Sequence, residues 1–207
     1  STIIGDSICN LFEYQGYKVH RVNHVGDFGL NFGILIHHVV TDHSTTYQTL
    51  TLDNLQALYA EGKKHFDSDP KFKAESYKTT QLIQSQENQL VNNIYQYIKE
   101  VSRVGYTNIY NRLDIKITEV GESWYLPYLA DVITDLKPIT TFDNGRYIIK
   151  EIDTDVTPLT IIKSDGAYTY DTTDLAAIKY RLNLDKVNTI LYVVDNGQKD
   201  HFDRIFS

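Results

Sequence analysis

The chain has 207 residues, 42% of them hydrophobic, enough to bury one sizeable core or a domain that carries an insertion. Its formal net charge of -7 excludes whole-surface attraction to phosphate, so contact with nucleic acid would have to rest on a local basic face. The single cysteine, Cys9, excludes an internal disulfide and a four-cysteine zinc site and suits a reducing compartment. No apolar run approaches the roughly 18 residues of a membrane span, and Ser1-Thr2-Ile3-Ile4-Gly5-Asp6 lacks the regions of a signal peptide, so a soluble, intracellular protein is expected. With no methionine anywhere, the chain is expected to be part of something longer.

Ile4, Ile8, Leu11 and Phe12 recur at the spacing of an amphipathic helix, which Gly16 is placed to stop. Residues 17–25 then read as a strand, followed by the loop Gly26-Asp27-Phe28-Gly29 and a short apolar helix over residues 32–40. Strand, glycine-bearing loop and helix in that order form the unit of a parallel α/β sheet, whose ligands sit at the carboxyl ends of the strands.

From about Thr41 to Thr157 the pattern turns helical and rich in Gln, Asn, Lys and Tyr. Asp69 before Pro70 supplies an N-cap and a first-turn proline, and Leu90, Ile94, Ile98 and Val101 keep one face apolar, predicting a helical hairpin. The polar run 81–89 reads as a solvated helix end or loop. Asp143-Asn144-Gly145 between two apolar runs signals a β-hairpin that closes this region. The α/β character returns with a strand over 159–162, a helix over 173–182 capped by Thr172 or Thr173, a buried strand over 189–194 and a helix from about Asp200. The expected organisation is a Rossmann-like α/β core in residues 1–45 and 158–207, split by a mostly helical insertion in 46–157 with a small β element.

Three stretches put polar groups directly after predicted strands: Asn23 to Asp27, Lys163 to Ala177, and Gly197 to Phe202. Tyr170 and Asp174, four apart near a helix start, could receive a small cation, the carboxylate accepting two parallel bonds from a guanidinium. The blander alternative is stronger on local chemistry alone: Asp174 as a first-turn acid favoured by the helix dipole, Tyr170 as a core residue. Gln198 and His201 divide evenly between holding an amino-acid head group and a nucleotide, and being solvent-exposed. Gly197 either lets the backbone approach a ligand or simply makes the turn.

Glu122 reads first as an exposed loop acid, and Gly121-Glu122-Ser123 is no nucleophile elbow. His37, His38 and His43 are not expected to bind a metal, since adjacent helical histidines point to different faces and no carboxylate or cysteine stands at ligand spacing. Cys9 is read as packing. The glycines at 26, 29 and 33 match no phosphate-binding fingerprint and are read as close-packing or backbone-approach positions.

Ser1 to Asp6, Asn23-His24-Val25-Gly26-Asp27, Gly121-Glu122-Ser123-Trp124-Tyr125, Lys163 to Ala177 and Gly197-Gln198-Lys199-Asp200-His201-Phe202, in that order, resemble the arginyl-tRNA synthetase family of class I aminoacyl-tRNA synthetases. The resemblance implies a Rossmann-like catalytic core split by a connective insertion. It implies that Asp174 grips the arginine guanidinium with Tyr170 beside it and Glu122 as a second acid. It further implies that Gln198 holds the arginine backbone groups and that His201, with Gly197, lies near ATP. The implied reaction is arginine-tRNA ligation with ATP as co-substrate and Mg2+, with tRNA(Arg) as acceptor, in a cytoplasmic enzyme expected to be monomeric and away from membranes. The family's His-x-Gly-His signature is expected immediately before Ser1, with the asparagine and serine that help bind arginine, so no catalytic residue is assigned within the chain. The chain alone is therefore expected to be inactive or nearly so. A non-catalytic arginine-binding or interaction module built on the same fold is the alternative.

Overall fold

The computed structural model describes residues 1–150, 157–164, 166–183 and 187–207. In chain order the elements begin with helix α1 (Thr2–Tyr14), strand β1 (Val22–Val25) and helices α2 (Leu30–His43), α3 (Leu52–Ser68), α4 (Pro70–Ser85) and α5 (Gln89–Arg112). Strand β2 (Thr118–Gly121) leads through a 3-10 segment, Glu122–Tyr128, into α6 (Leu129–Leu136). Then follow β3 (Thr141–Asp143), β4 (Arg146–Ile149), β5 (Leu159–Ile162), α7 (Tyr170–Asn183) and α8 (Lys199–Phe206). The fold is mixed α/β, with β1 and β2 paired in parallel and helices dominating elsewhere.

The chain divides into two compact units, Ser1–Val25 with Ile117–Ser207, and Gly26–Lys116. These boundaries differ from those expected at 45/46 and 157/158. Helix α2, expected with the core, packs instead on α3, α4 and α5, because its buried face of Ile34, Leu35, Ile36 and Val39 needs an apolar partner on several sides. Residues 151–156 lie outside the described residues, so the expected end of the insertion is not fully described.

The helical unit shows clean local encoding. Thr51 and Asn54 form a reciprocal capping box at the start of α3, Asp69 accepts from the Lys71 N–H with Pro70 in the first turn of α4, and Asn88 accepts from the Val91 N–H at 3.0 Å to open α5. The buried face of α5 is Val91, Ile94, Tyr95 and Ile98, whereas Leu90, expected on it, is 40% exposed: the stripe begins one residue later. Three helices packed on α2 stand where a hairpin was expected, and the polar run from 81 does form the end of α4 and the link to α5.

The other unit carries both sheets. The hairpin β3–β4 turns through Asn144 and Gly145, both at positive φ (47° and 80°), the conformation the Asn-Gly pair encodes. Strand β5, expected in the parallel sheet, pairs antiparallel with β4, giving the order β3-β4-β5. The strand expected over 17–25 shrinks to Val22–Val25, the length over which β2 supplies a partner. Residues 189–194 make no ladder among the described residues. Their side chains pack laterally instead, Val193 against Gly5 and Tyr192 against the Phe202 ring at 4.6 Å. Apolar content favours burial, but a strand exists only where a neighbour completes its hydrogen bonds.

Arg21, just before β1, ties α1 to the sheet by hydrogen bonds to Asp6 (2.6 Å), Asn10 (2.6 Å) and Glu13 (2.6 Å). Cys9 lies in this helix, its thiol pushed up by burial against the opposing pull of Arg21, which suits packing rather than reactivity.

Candidate functional site

The site is built where α7 locks onto β5. Thr172 donates its hydroxyl to the Ile161 carbonyl at 2.6 Å, Thr169 donates to the Thr160 carbonyl, and the Thr160 N–H returns a bond to Asp171 Oδ2 at 3.1 Å. These interlocked short polar side chains start the helix at Tyr170, three residues earlier than expected, so Thr172 and Thr173 bind within the first turn and do not cap it. Asp174 consequently falls in the second turn, where the helix dipole contributes little, and the first-turn reading of this acid is set aside.

Around Asp174 the structure gathers a buried polar chain. Asp174 Oδ2 lies 2.6 Å from His201 Nε2 of α8, and Oδ1 lies 3.2 Å from His24 Nε2 of β1. His201 Nδ1 stands 3.2 Å from Asp171 Oδ1, and His24 Nδ1 stands 3.1 Å from an NH2 nitrogen of Arg181. Arg181 also donates to the Tyr192 hydroxyl at 3.0 Å and the Tyr125 hydroxyl at 3.2 Å. Both 3.2 Å histidine contacts are close but out of hydrogen-bond alignment. His24 Nε2, His201 Nδ1, Asp171 Oδ1 and Arg181 Nε thus remain buried without an aligned partner. Buried polar atoms without partners are rare in native proteins, and this concentration makes the cluster the candidate site.

The two carboxylates are driven apart. Burial alone would raise Asp174, but the contacts from His24 and His201 overturn it and hold the carboxyl below its usual range. Asp171 is raised, chiefly by burial, although the Thr160 N–H and His201 pull the other way. Asp174 is therefore the acid kept ionised and Asp171 the one that takes a proton more readily, a division of roles typical of functional sites.

Of the expected site residues, Tyr170, Asp174 and His201 are brought together. Tyr170 is 59% exposed, not in a core, and its ring centroid is 5.0 Å from that of His201. Gln198 is exposed in the 3-10 turn one turn before His201, near the group by chain position. Gly197 donates its N–H to Asp195 Oδ1 at 2.8 Å, which accounts for it as a turn residue. Glu122 is half-buried immediately after β2, whose last residue Gly121 pairs with Val25 at the carboxyl end of β1. Asp165, in the Lys163 to Ala177 stretch, lies outside the described residues. Residue-level reasoning gave no role to His24, Asp171 or Arg181. The readable signal was that Asp174, Ala177 and Arg181 fall at i, i+3 and i+7 of one helix face, an arginine in a stripe otherwise destined for burial.

Comparison with known proteins decides the family. The model for class I tRNA synthetases (R), catalytic domain, matches residues 1–207, the whole chain. This chain belongs to the class I arginyl-tRNA synthetases. It is 47% identical to the cytoplasmic arginine--tRNA ligase of Mus musculus and 44% identical to that of Homo sapiens, in each case over 100% of this chain and 32% of the relative. The chain thus spans about a third of the length of the curated relatives it matches. Among solved structures it resembles the arginyl-tRNA synthetase of Plasmodium falciparum, with a TM-score of 0.83 and 37% identity over 100% of this chain and 35% of that one. A Campylobacter jejuni structure, at 16% identity and a TM-score of 0.64, shares the fold over 99% of this chain and 45% of that one.

In this arginyl-tRNA synthetase chain, the acids at the site do not suit a bare metal ion. The oxygens of Asp174 and Asp171 face histidine nitrogens and the Thr160 N–H, not an open oxygen cage. In the helical unit, ligand atoms of His38, Glu61 and His65 lie within 4.8 Å of one another. His38, however, has both ring nitrogens engaged, Nδ1 with the Leu58 carbonyl at 3.0 Å and Nε2 with Asp42 at 3.1 Å. His37 stands apart, its ring 4.6 Å from Phe72 and its pKa lowered by burial.

Proposed function

We propose that this chain forms the arginine-binding wall of the catalytic domain of an arginine-tRNA ligase. In the reaction, the arginine carboxylate attacks the α-phosphorus of ATP and expels pyrophosphate, and a hydroxyl of the terminal tRNA ribose then takes the arginyl group from the adenylate and releases AMP. The observation that carries the reading is Asp174, buried, held below its usual range by His24 and His201 and paired with no lysine or arginine among the described residues, with Tyr170 one turn before it on the same helix face. A guanidinium offers a planar fork of donors to such a carboxylate, whereas an ammonium would satisfy one acceptor and leave the other short. Gln198 would hold the arginine head group, Glu122 would act as a second acid, and His201 with Gly197 would lie toward ATP. Mg2+ would travel on the ATP phosphates.

Within this reading the unit of Ser1–Val25 and Ile117–Ser207 is the catalytic core and the helical unit Gly26–Lys116 is its connective insertion. The cytoplasmic names of the relatives support the same location for this protein. The test is arginine-dependent exchange of pyrophosphate into ATP by the full-length gene product that carries this chain, run with tRNA(Arg) present, as are all the exchange measurements below. Exchange that requires arginine and ignores lysine is expected. Binding of arginine without exchange would favour the alternative, a non-catalytic arginine-binding module on the same fold.

A further inference from the structure

Arg181 is an unusual buried cation. It is 9% exposed, and among the described residues no carboxylate pairs with it. Its charge is held by two phenols, through the hydroxyls of Tyr192 and Tyr125 and through their rings, whose centroids lie 5.7 and 5.6 Å from the guanidinium carbon. A carboxylate partner would cancel the charge; hydroxyls and π faces hold it without doing so. The remaining contact is the NH2 group 3.1 Å from His24 Nδ1.

That contact dictates where the His24 proton sits. A guanidinium has donors only and stays protonated, so the facing Nδ1 must be the ring's acceptor. The single ring proton is then on Nε2, the nitrogen 3.2 Å from Asp174 Oδ1. The opposite tautomer would set an N–H against the Arg181 donors and a lone pair against the Asp174 carboxylate, which is unfavourable on both sides. Tyr125, whose ring centroid is 5.6 Å from that of His24, closes another side of the imidazole, and His201 meets Asp174 from α8.

We propose that Arg181 is a positioning residue for arginine recognition: it fixes His24 as the Nε2–H tautomer, so that His24 presents a donor to the Asp174 carboxylate 3.2 Å away, a contact that aligns into a hydrogen bond when arginine is bound. The inference rests on the reading of Asp174 as the guanidinium acceptor. Helix α7 thereby supplies both ends of the relay, Asp174 and, two turns on, Arg181, with a histidine from β1 clamped between them. Arg181 acts through His24 and touches no substrate. Its signature is an effect on arginine without an effect on ATP.

The test uses the full-length gene product with histidine labelled in nitrogen-15, together with exchange kinetics. In the wild type, His24 should carry its proton on Nε2 with Nδ1 bare, a pattern read directly from the ring nitrogen resonances. Arg181→Met, which keeps the stem and loses the donors, should yield mixed tautomers and raise the arginine KM by about tenfold with the ATP KM unchanged, the usual size of a lost hydrogen bond to a charged group. Arg181→Lys, which restores a charged donor, should recover most of that loss. Wild-type His24 protonated on Nδ1, or an arginine KM untouched by Arg181→Met in a folded protein, would overturn the proposal. The readings separate cleanly: if Asp174→Asn leaves the arginine KM unchanged, the reading of the site fails, while the tautomer measurement still decides what Arg181 does to His24.

Discussion

Replacing Asp174 by Asn in the full-length gene product should raise the arginine KM in pyrophosphate exchange by about a hundredfold or more and leave the ATP KM within a factor of about two. The substitution keeps the side-chain shape but removes the charge and one of two acceptors, so a guanidinium loses its paired bonds and meets an amide donor. The surroundings sharpen the effect. His24 and His201 hold this carboxyl ionised in a buried setting, where a charge-assisted hydrogen bond is worth more than in water. A rise in both Michaelis constants together would point to collapse of the site, and no rise in either would remove Asp174 from the arginine pocket.

The second large effect lies in the helical unit and concerns folding. A Cβ at Gly33 of α2 would stand 2.0 Å from Thr80 Oγ1 and 2.6 Å from the Ser76 carbonyl oxygen of α4. The threonine hydroxyl can rotate away, at the loss of its own bond to that carbonyl, but the backbone oxygen cannot move without shifting the helix. Gly33→Ala should therefore force α2 and α4 apart and cost about 3 kcal/mol, the upper range of overpacking in a tight core. Thermal unfolding of the variant should fall by roughly 6–12 °C, given about 2–4 °C per kcal/mol for chains of this size. Gly62→Ala makes a useful comparison: its Cβ would meet His38 Nδ1 at 3.2 Å and Ile34 Cγ2 at 3.3 Å, side-chain atoms that can yield, so a smaller loss is expected.

Much of the local structure was legible because the signals are local. The Asp69-Pro70 start of α4, the stripe on α5 and the Asn144-Gly145 hairpin each depend on residues within one or two turns of chain; the first and last appear as read, and the stripe does so at Ile94 and Ile98 with its start moved from Leu90 to Val91. The partners of strands were not legible. Whether 159–162 joins a parallel sheet or extends a hairpin depends on which edge lies beside it, a non-local choice that alternating apolar residues cannot encode. The same limit applies to α2, whose apolar faces say that it is buried but not among which helices.

At the site, resemblance and local residue chemistry point to different roles. Read locally, Asp174 was most simply a helix-start acid and Tyr170 a core residue; the helix start at Tyr170 removes both readings, because the threonine interlock with β5 begins the helix earlier than its apolar pattern does. His24 and Arg181, 157 residues apart, meet only through the fold, and no spacing rule could pair them. The resemblance draws attention to this stretch, and the geometry shows its electrostatic contrast: an acid held below its usual range by two histidines beside one raised by burial.

The most direct measurement of the central claim is a calorimetric titration of the full-length protein with arginine and with citrulline, which has the same shape but a neutral urea in place of the guanidinium. Binding of arginine with citrulline weaker by about a hundredfold or more is the predicted result, since only the guanidinium adds its charge to the paired hydrogen bonds it makes with an ionised, buried Asp174. Equal affinity for the two, or no binding of arginine at all, would contradict the account.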